Sequence, residues 1–147
     1  MGRTPWTTLA IEPVFQQGNS DCGKACAEMV LNYFKLRHRG LESLANAVDG
    51  VQVRTLESFF REKGMMVVAG NFNNKLLSQF TQNKIPVICL LDDHYVLARG
   101  IRDYRVLYNC PIKGEQLDPV ARFKRKWRTT IDGDTLYSWG IAAWKSS

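Results

Sequence analysis

Met65 divides this chain into two halves with different backbone preferences, and that division constrains the fold more than any other feature. Before it, apolar residues recur at helical spacing. Ala25, Met29, Leu31 and Phe34 mark a helix from Asp21 or Cys22 to Leu36. Leu41 to Val48 reads as a shorter helix closed by Asp49-Gly50. Thr55 to Lys63 is a third, with Leu56, Phe59 and Phe60 inward and Gly64 as its stop. After Met65 the runs are short and rich in β-branched and aromatic residues. Met65 to Ala69, Ile85 to Leu91, Tyr95 to Ile101, Arg105 to Tyr108 and Tyr137 to Trp144 read as strands. Lys75 to Gln82 is one more helix, and Arg102-Asp103-Tyr104 a hairpin turn. Residues 1–15, with Pro5 and Pro13, form an irregular lead-in. Helices first and antiparallel strands after define an α+β fold, an N-terminal helical layer packed on a C-terminal antiparallel sheet.

The chain has 147 residues, of which 45% are hydrophobic and 23% charged, so residues 1–147 are expected to form a single domain with its own core. No apolar run approaches the roughly 20 residues of a membrane span. Met1-Gly2-Arg3-Thr4-Pro5-Trp6 lacks the apolar stretch of a signal peptide. The expected location is cytoplasmic, or inside a target cell after delivery as part of a larger secreted protein. The net charge is +6, concentrated at Arg122, Lys124, Arg125, Lys126 and Arg128. Phe123 and Trp127 punctuate that run at i, i+4 spacing, so it reads as a helix with one buried stripe and solvated basic faces. A nucleic-acid partner is therefore not expected, although a basic face would attract an acidic protein.

The chemistry concentrates near Cys22, in the run Gln16-Gln17-Gly18-Asn19-Ser20-Asp21-Cys22-Gly23-Lys24-Ala25-Cys26. A thiol at a helix N-terminus faces backbone N–H groups and the positive end of the helix dipole, and both favour the nucleophilic thiolate. A glutamine amide upstream can share an oxyanion site with the cysteine's own N–H. Cys22, Cys26, Cys89 and Cys110 do not resemble a disulfide framework, and this usage suits a reducing compartment. A zinc site from Cys22, Cys26, His94 and Cys110 lacks the close two-cysteine knuckle such sites use, so no metal is expected.

A thiol nucleophile needs a base within reach. Of the two histidines, His38 lies in a charged loop and reads as surface, whereas His94 begins the strand His94-Tyr95-Val96-Leu97-Ala98. Asn109 ends the next strand, fifteen residues after His94. Hairpin pairing is expected to bring it beside the imidazole, where its carboxamide oxygen fixes the tautomer and ring plane.

These motifs resemble the bacteriocin-processing double-glycine peptidases, a papain-like cysteine peptidase family often found as the N-terminal domain of peptide-exporting ABC transporters. The family shows a glutamine, five residues, then Asp-Cys-Gly-x-Ala-Cys and an apolar helix, which this chain has at Gln16 and Asp21 to Cys26. Gly50 to Gly64, Pro86-Val87-Ile88, His94-Tyr95-Val96-Leu97, Phe123 with Trp127, and the last strand follow in the family's order. Asn109-Cys110-Pro111 stands where the family has Asp-Pro. The resemblance implies a papain-like cysteine endopeptidase. Cys22 is then the nucleophile, His94 the base, Asn109 the third triad member and Gln16 the oxyanion-hole side chain.

The implied cut follows a Gly-Gly pair in a protein or peptide substrate, with no cofactor. No transporter segment follows in this chain, and similar domains serve as toxin warheads. The expected role is thus an effector acting on a cytosolic protein of a competing bacterium, with a cognate immunity protein as a further partner. The alternatives are a leader peptidase maturing bacteriocin-type peptides, a deamidase or transglutaminase with the same triad, and a non-catalytic peptide-binding module.

Overall fold

The computed structural model describes residues 8–18, 20–44, 52–131 and 133–146. Its helices are α1 (Cys22–Tyr33), α2 (Val53–Glu62), α3 (Asn74–Gln82) and α4 (Val120–Lys126). Its strands are β1 (Met66–Asn71), β2 (Val87–Leu91), β3 (His94–Arg102), β4 (Arg105–Cys110), β5 (Gly114–Pro119), β6 (Arg128–Ile131), β7 (Asp134–Tyr137) and β8 (Trp139–Trp144). Six strands form one antiparallel sheet in the order β1-β8-β2-β3-β4-β5, and β6 and β7 pair apart from it.

Side chains alternate across a strand, and here the alternation separates two cores. Ile88, Leu90, Tyr95, Leu97 and Ile141 point to one face and pack with Met29, Val30, Leu56 and Phe60 of α1 and α2. Val87, Cys89, Leu91, Val96, Ala98 and Tyr108 point to the other and pack with Leu77 of α3, Phe123 of α4 and Trp127 just beyond it. Each such large side chain, fully buried, stabilises the fold by about 1.5–3 kcal/mol. The N-terminal helical layer lies on the sheet as expected, and α3 and α4 cover the opposite face. Phe123 and Trp127 are both buried while Arg122, Lys124 and Arg125 are exposed, which is the amphipathic arrangement read from their spacing.

Several boundaries differ from expectation for identifiable reasons. α1 stops at Tyr33, short of Leu36. Lys35 adopts a left-handed φ of 57°, and the N–H groups of Lys35 and Leu36 return to the carbonyls of Asn32 and Leu31. This is a Schellman closure, and Leu36 prolongs the apolar stripe because it packs back on the core after the helix has ended. The expected helix from Leu41 is a 3-10 turn over Leu41–Leu44; its remainder to Val48 lies outside the described residues. The last strand, expected from Tyr137, begins at Trp139, because Ser138 takes φ 57° and breaks the extended run there. β5 (Gly-Glu-Gln-Leu-Asp-Pro) and the β6–β7 hairpin were not expected as strands. β5 is a polar sheet edge ending in proline, which carries little apolar alternation.

Candidate active site

One end of the sheet collects residues from three distant segments. Cys22 is the first residue of α1 and is buried. The Asp21 side chain does not cap that helix; its carboxylate accepts from the Gly18 N–H at 3.1 Å and closes the preceding loop. Gly18 fits because an added Cβ would meet that carboxylate oxygen at 3.0 Å. The sequence thus puts a small residue where the loop must fold tightly onto the helix entry.

His94 opens β3 directly after a two-residue turn. Asp92 and Asp93 have φ of 47° and 65°, the paired left-handed conformation of a tight hairpin turn, which aspartate tolerates. The Asp93 carboxylate accepts from the Thr129 hydroxyl and the Thr130 N–H, each at 2.7 Å. Those bonds hold its carboxyl below the usual carboxylate range and tie the turn to β6. His94 therefore starts from a fixed backbone.

The thiols of Cys110 and, next in strength, Cys22 act on the His94 ring and push its pKa up to about 9, against the opposing effect of burial. Nε2 is buried and lacks a hydrogen bond of regular geometry. Both sulfurs thus polarise the ring without locking that nitrogen. Burial pushes the Cys110 thiol up, but His94 and the backbone N–H groups of Lys113 and Ile112 outweigh it and bring it down to about 7. Cys26 and Cys89 are fully buried and pushed up, as inert core thiols are. Among the described residues, no three His, Cys, Asp or Glu side chains are grouped as metal ligands would be.

The lead-in runs beside this end of the sheet. The backbone N–H of Gln16 donates to the Pro111 carbonyl at 3.0 Å, and the side-chain Nε2 donates to the Gly18 carbonyl at 2.8 Å. Gln16 Oε1 is buried without a partner among the described residues. A cleft lined by Val14, Phe15, Gln16, Asp21, Lys24 and Glu28 flanks the start of α1.

Asn109 is not brought to His94. It pairs with Leu97 across the β3–β4 ladder, and so faces α1 rather than the His94 edge. Its oxygen accepts from Arg99 at 3.0 Å, and its nitrogen donates to the Ile11 carbonyl at 2.9 Å and to Met29 Sδ at 3.4 Å. Arg99 also donates to the Leu9 carbonyl at 2.7 Å and pairs with Glu115, so Asn109 belongs to a buried network that clamps the lead-in onto the sheet. Its neighbour Cys110, whose thiol acts on the His94 ring, was not expected in a triad role. Strand parity was the available signal: adjacent residues of a strand face opposite sides. His38 bonds Asn32 Oδ1 at 2.6 Å on the surface, away from this site, in keeping with its reading as a solvated side chain.

The Peptidase C39 family model matches residues 10–131. Among solved structures, a double-glycine-motif protease from an AMS/PCAT transporter, crystallised with the leader peptide, is 20% identical; the alignment covers 92% of this chain and 92% of that one, with a TM-score of 0.74. The peptidase domain of Streptococcus ComA, a bifunctional ABC transporter of a quorum-sensing pathway, is 15% identical over 93% of this chain and 100% of that one, with a TM-score of 0.75. The peptidase domain of Streptococcus mutans ComA is 15% identical over 91% and 99%, with a TM-score of 0.64. No curated protein sequence matches the chain. The α+β architecture described above is the papain-like fold of these peptidase domains.

Proposed function

The chain belongs to the Peptidase C39 family and is a cysteine peptidase, and on that premise we propose that it cleaves a leader-type peptide after a Gly-Gly pair, with Cys22 as nucleophile and His94 as base. The observation that carries this reading is the Cys22 thiol at the first residue of α1, acting on the ring of His94. The Cys22 thiolate attacks the scissile carbonyl carbon, and a C–S bond forms as the oxygen takes negative charge. The N–H of Cys22 and the second N–H of the Gln16 amide are the donors we assign to that oxygen. The tetrahedral intermediate collapses as the C–N bond breaks, and the His94 imidazolium gives its proton to the leaving amine. Neutral His94 then takes a proton from water, and the hydroxide opens the thioester to return the thiol.

The relatives named above are peptidase domains of transporters, and one was crystallised with a leader peptide. That favours leader-peptide maturation over the effector role expected from sequence, which no feature of the site supports. No helix among the described residues is long and apolar enough to cross a membrane. We treat residues 1–147 as one catalytic domain whose partner is the peptide substrate. The test is a peptide carrying Gly-Gly at the cut against its Gly-Ala, Ala-Gly and Ala-Ala forms. A β-carbon that misplaces the carbonyl by about 1 Å costs about 10²-fold in rate. Cleavage confined to Gly-Gly supports the reading, and equal cleavage of all four contradicts it.

A further inference from the structure

We propose that the Cys110 side chain is the third member of the catalytic group, a thiolate that orients and charges His94 where other thiol peptidases use a carboxamide or carboxylate. The proposal rests on the cysteine-peptidase reading of Cys22 and His94 and deepens it.

Three observations on the fold lead here. Asn109 pairs with Leu97, so Cys110, one residue on, shares its side of the sheet with Val96 and His94 rather than with Asn109. The Asn109 carboxamide is committed to Arg99, Ile11 and Met29 and has no hydrogen bond to His94. The backbone N–H groups of Lys113 and Ile112 lie in the turn that follows and favour the charged form of the Cys110 thiol, as successive backbone donors favour an anion. Pro111 has no N–H to add, but its carbonyl takes the N–H of Gln16 and anchors that turn to the lead-in.

The other buried cysteines supply the contrast. Cys26 and Cys89 are more deeply buried than Cys110, neither has a cation or backbone donors to hold a charge, and both are pushed up. Cys110 alone among these three moves down, because its neighbours favour the anion. The titratable groups that face the pair are Cys22 and Cys26 from α1 and Tyr108 from β4. Burial keeps Cys26 and Tyr108 neutral in the working range, and among the described residues no carboxylate acts on His94. The group that charges the imidazole therefore titrates near neutrality, which a carboxylate does not. Below that range the Cys110 thiol is neutral, and His94 loses that anionic partner.

The test compares wild type with Cys110→Ala, Cys110→Ser and Cys110→Asp, each checked for fold by circular dichroism. The His94 ring is titrated by NMR, a readout that needs no substrate. In Cys110→Ala and Cys110→Ser, the His94 pKa is expected to fall by about one unit or more, the effect of losing a close opposite charge. Cys110→Asp is expected to keep it high. Cleavage of a Gly-Gly peptide is then expected to fall in kcat for Ala and Ser, with KM little changed, and to return with Asp. An unchanged His94 titration in both Ala and Ser variants overturns the proposal. A shifted titration with no Gly-Gly cleavage by any form, wild type included, supports the role of Cys110 and contradicts the substrate reading instead. Serine keeps the volume close to that of the thiol, so an unfolded alanine variant still leaves the serine result decisive.

Discussion

The backbone N–H of Gln16 donates to the carbonyl of Pro111 at 3.0 Å, joining the lead-in to the turn that follows β4. One bond thus ties the segment carrying Gln16 to the segment carrying Cys110. The Gln16 side chain is held in turn by the Gly18 carbonyl at 2.8 Å, within the loop that enters α1. Gln16→Ala keeps the backbone bond and removes only the amide. It is expected to lower kcat by about 10² or more with little change in KM, as loss of a transition-state donor does. Steady-state kinetics on a Gly-Gly peptide checks this, and a pure KM effect would make Gln16 a substrate-binding residue.

Cys22→Ala and His94→Ala are expected to abolish cleavage while leaving the fold intact. Both side chains sit at the end of the sheet, and neither bridges the two cores. Near-wild-type turnover in His94→Ala would remove the base from the mechanism.

Asn109→Ala is expected to act on stability. It strips partners from the Ile11 carbonyl and from buried Arg99, and leaving such groups unsatisfied costs about 1–3 kcal/mol each. Thermal unfolding should show a lower Tm with kcat close to that of wild type. A full loss of kcat at unchanged Tm would return Asn109 to the chemistry.

The pH profile follows from the two shifted groups. Cys110 comes down to about 7, so its charged form, which supports His94, is lost as pH falls through that value. His94 is raised to about 9, so the imidazolium that protonates the leaving amine is lost as pH rises through it. The profile of kcat/KM is expected to be a bell with limbs near these values. In Cys110→Asp the acid limb should move toward the carboxylate range; an unmoved limb would assign it to another group.

Alkylation by iodoacetamide near neutral pH is expected to fall on Cys22 and Cys110 and to spare Cys26 and Cys89. Burial pushes the last two up and shields them. Peptide mapping by mass spectrometry reads the sites, and equal labelling of all four would contradict the assignment.

Much of this arrangement was legible because it follows from local pattern. Cys22 begins a helix and His94 begins a strand through signals carried within a few residues of each. The change at Met65 from helical spacing to β-rich runs gave the α+β class. What was not legible depends on register. Whether Asn109 or Cys110 faces His94 is decided by a one-residue phase on β4, and that phase is set by pairing with β3 and by the irregularity between Ala98 and Gly100. Asparagine is the familiar orienting group, so residue type pointed one way and strand parity the other. The polar edge strand β5 escaped notice for a related reason: its identity comes from pairing with β4, not from its own composition.

The central claim is cysteine-dependent cleavage after a double glycine. The most direct measurement is mass spectrometry of a leader-type peptide containing one Gly-Gly pair, incubated with wild type and with Cys22→Ala. The account predicts two fragments divided after the second glycine with wild type and an intact peptide with the variant. An intact chain that has lost ammonia from a glutamine, or the same cut with Cys22→Ala, would contradict it.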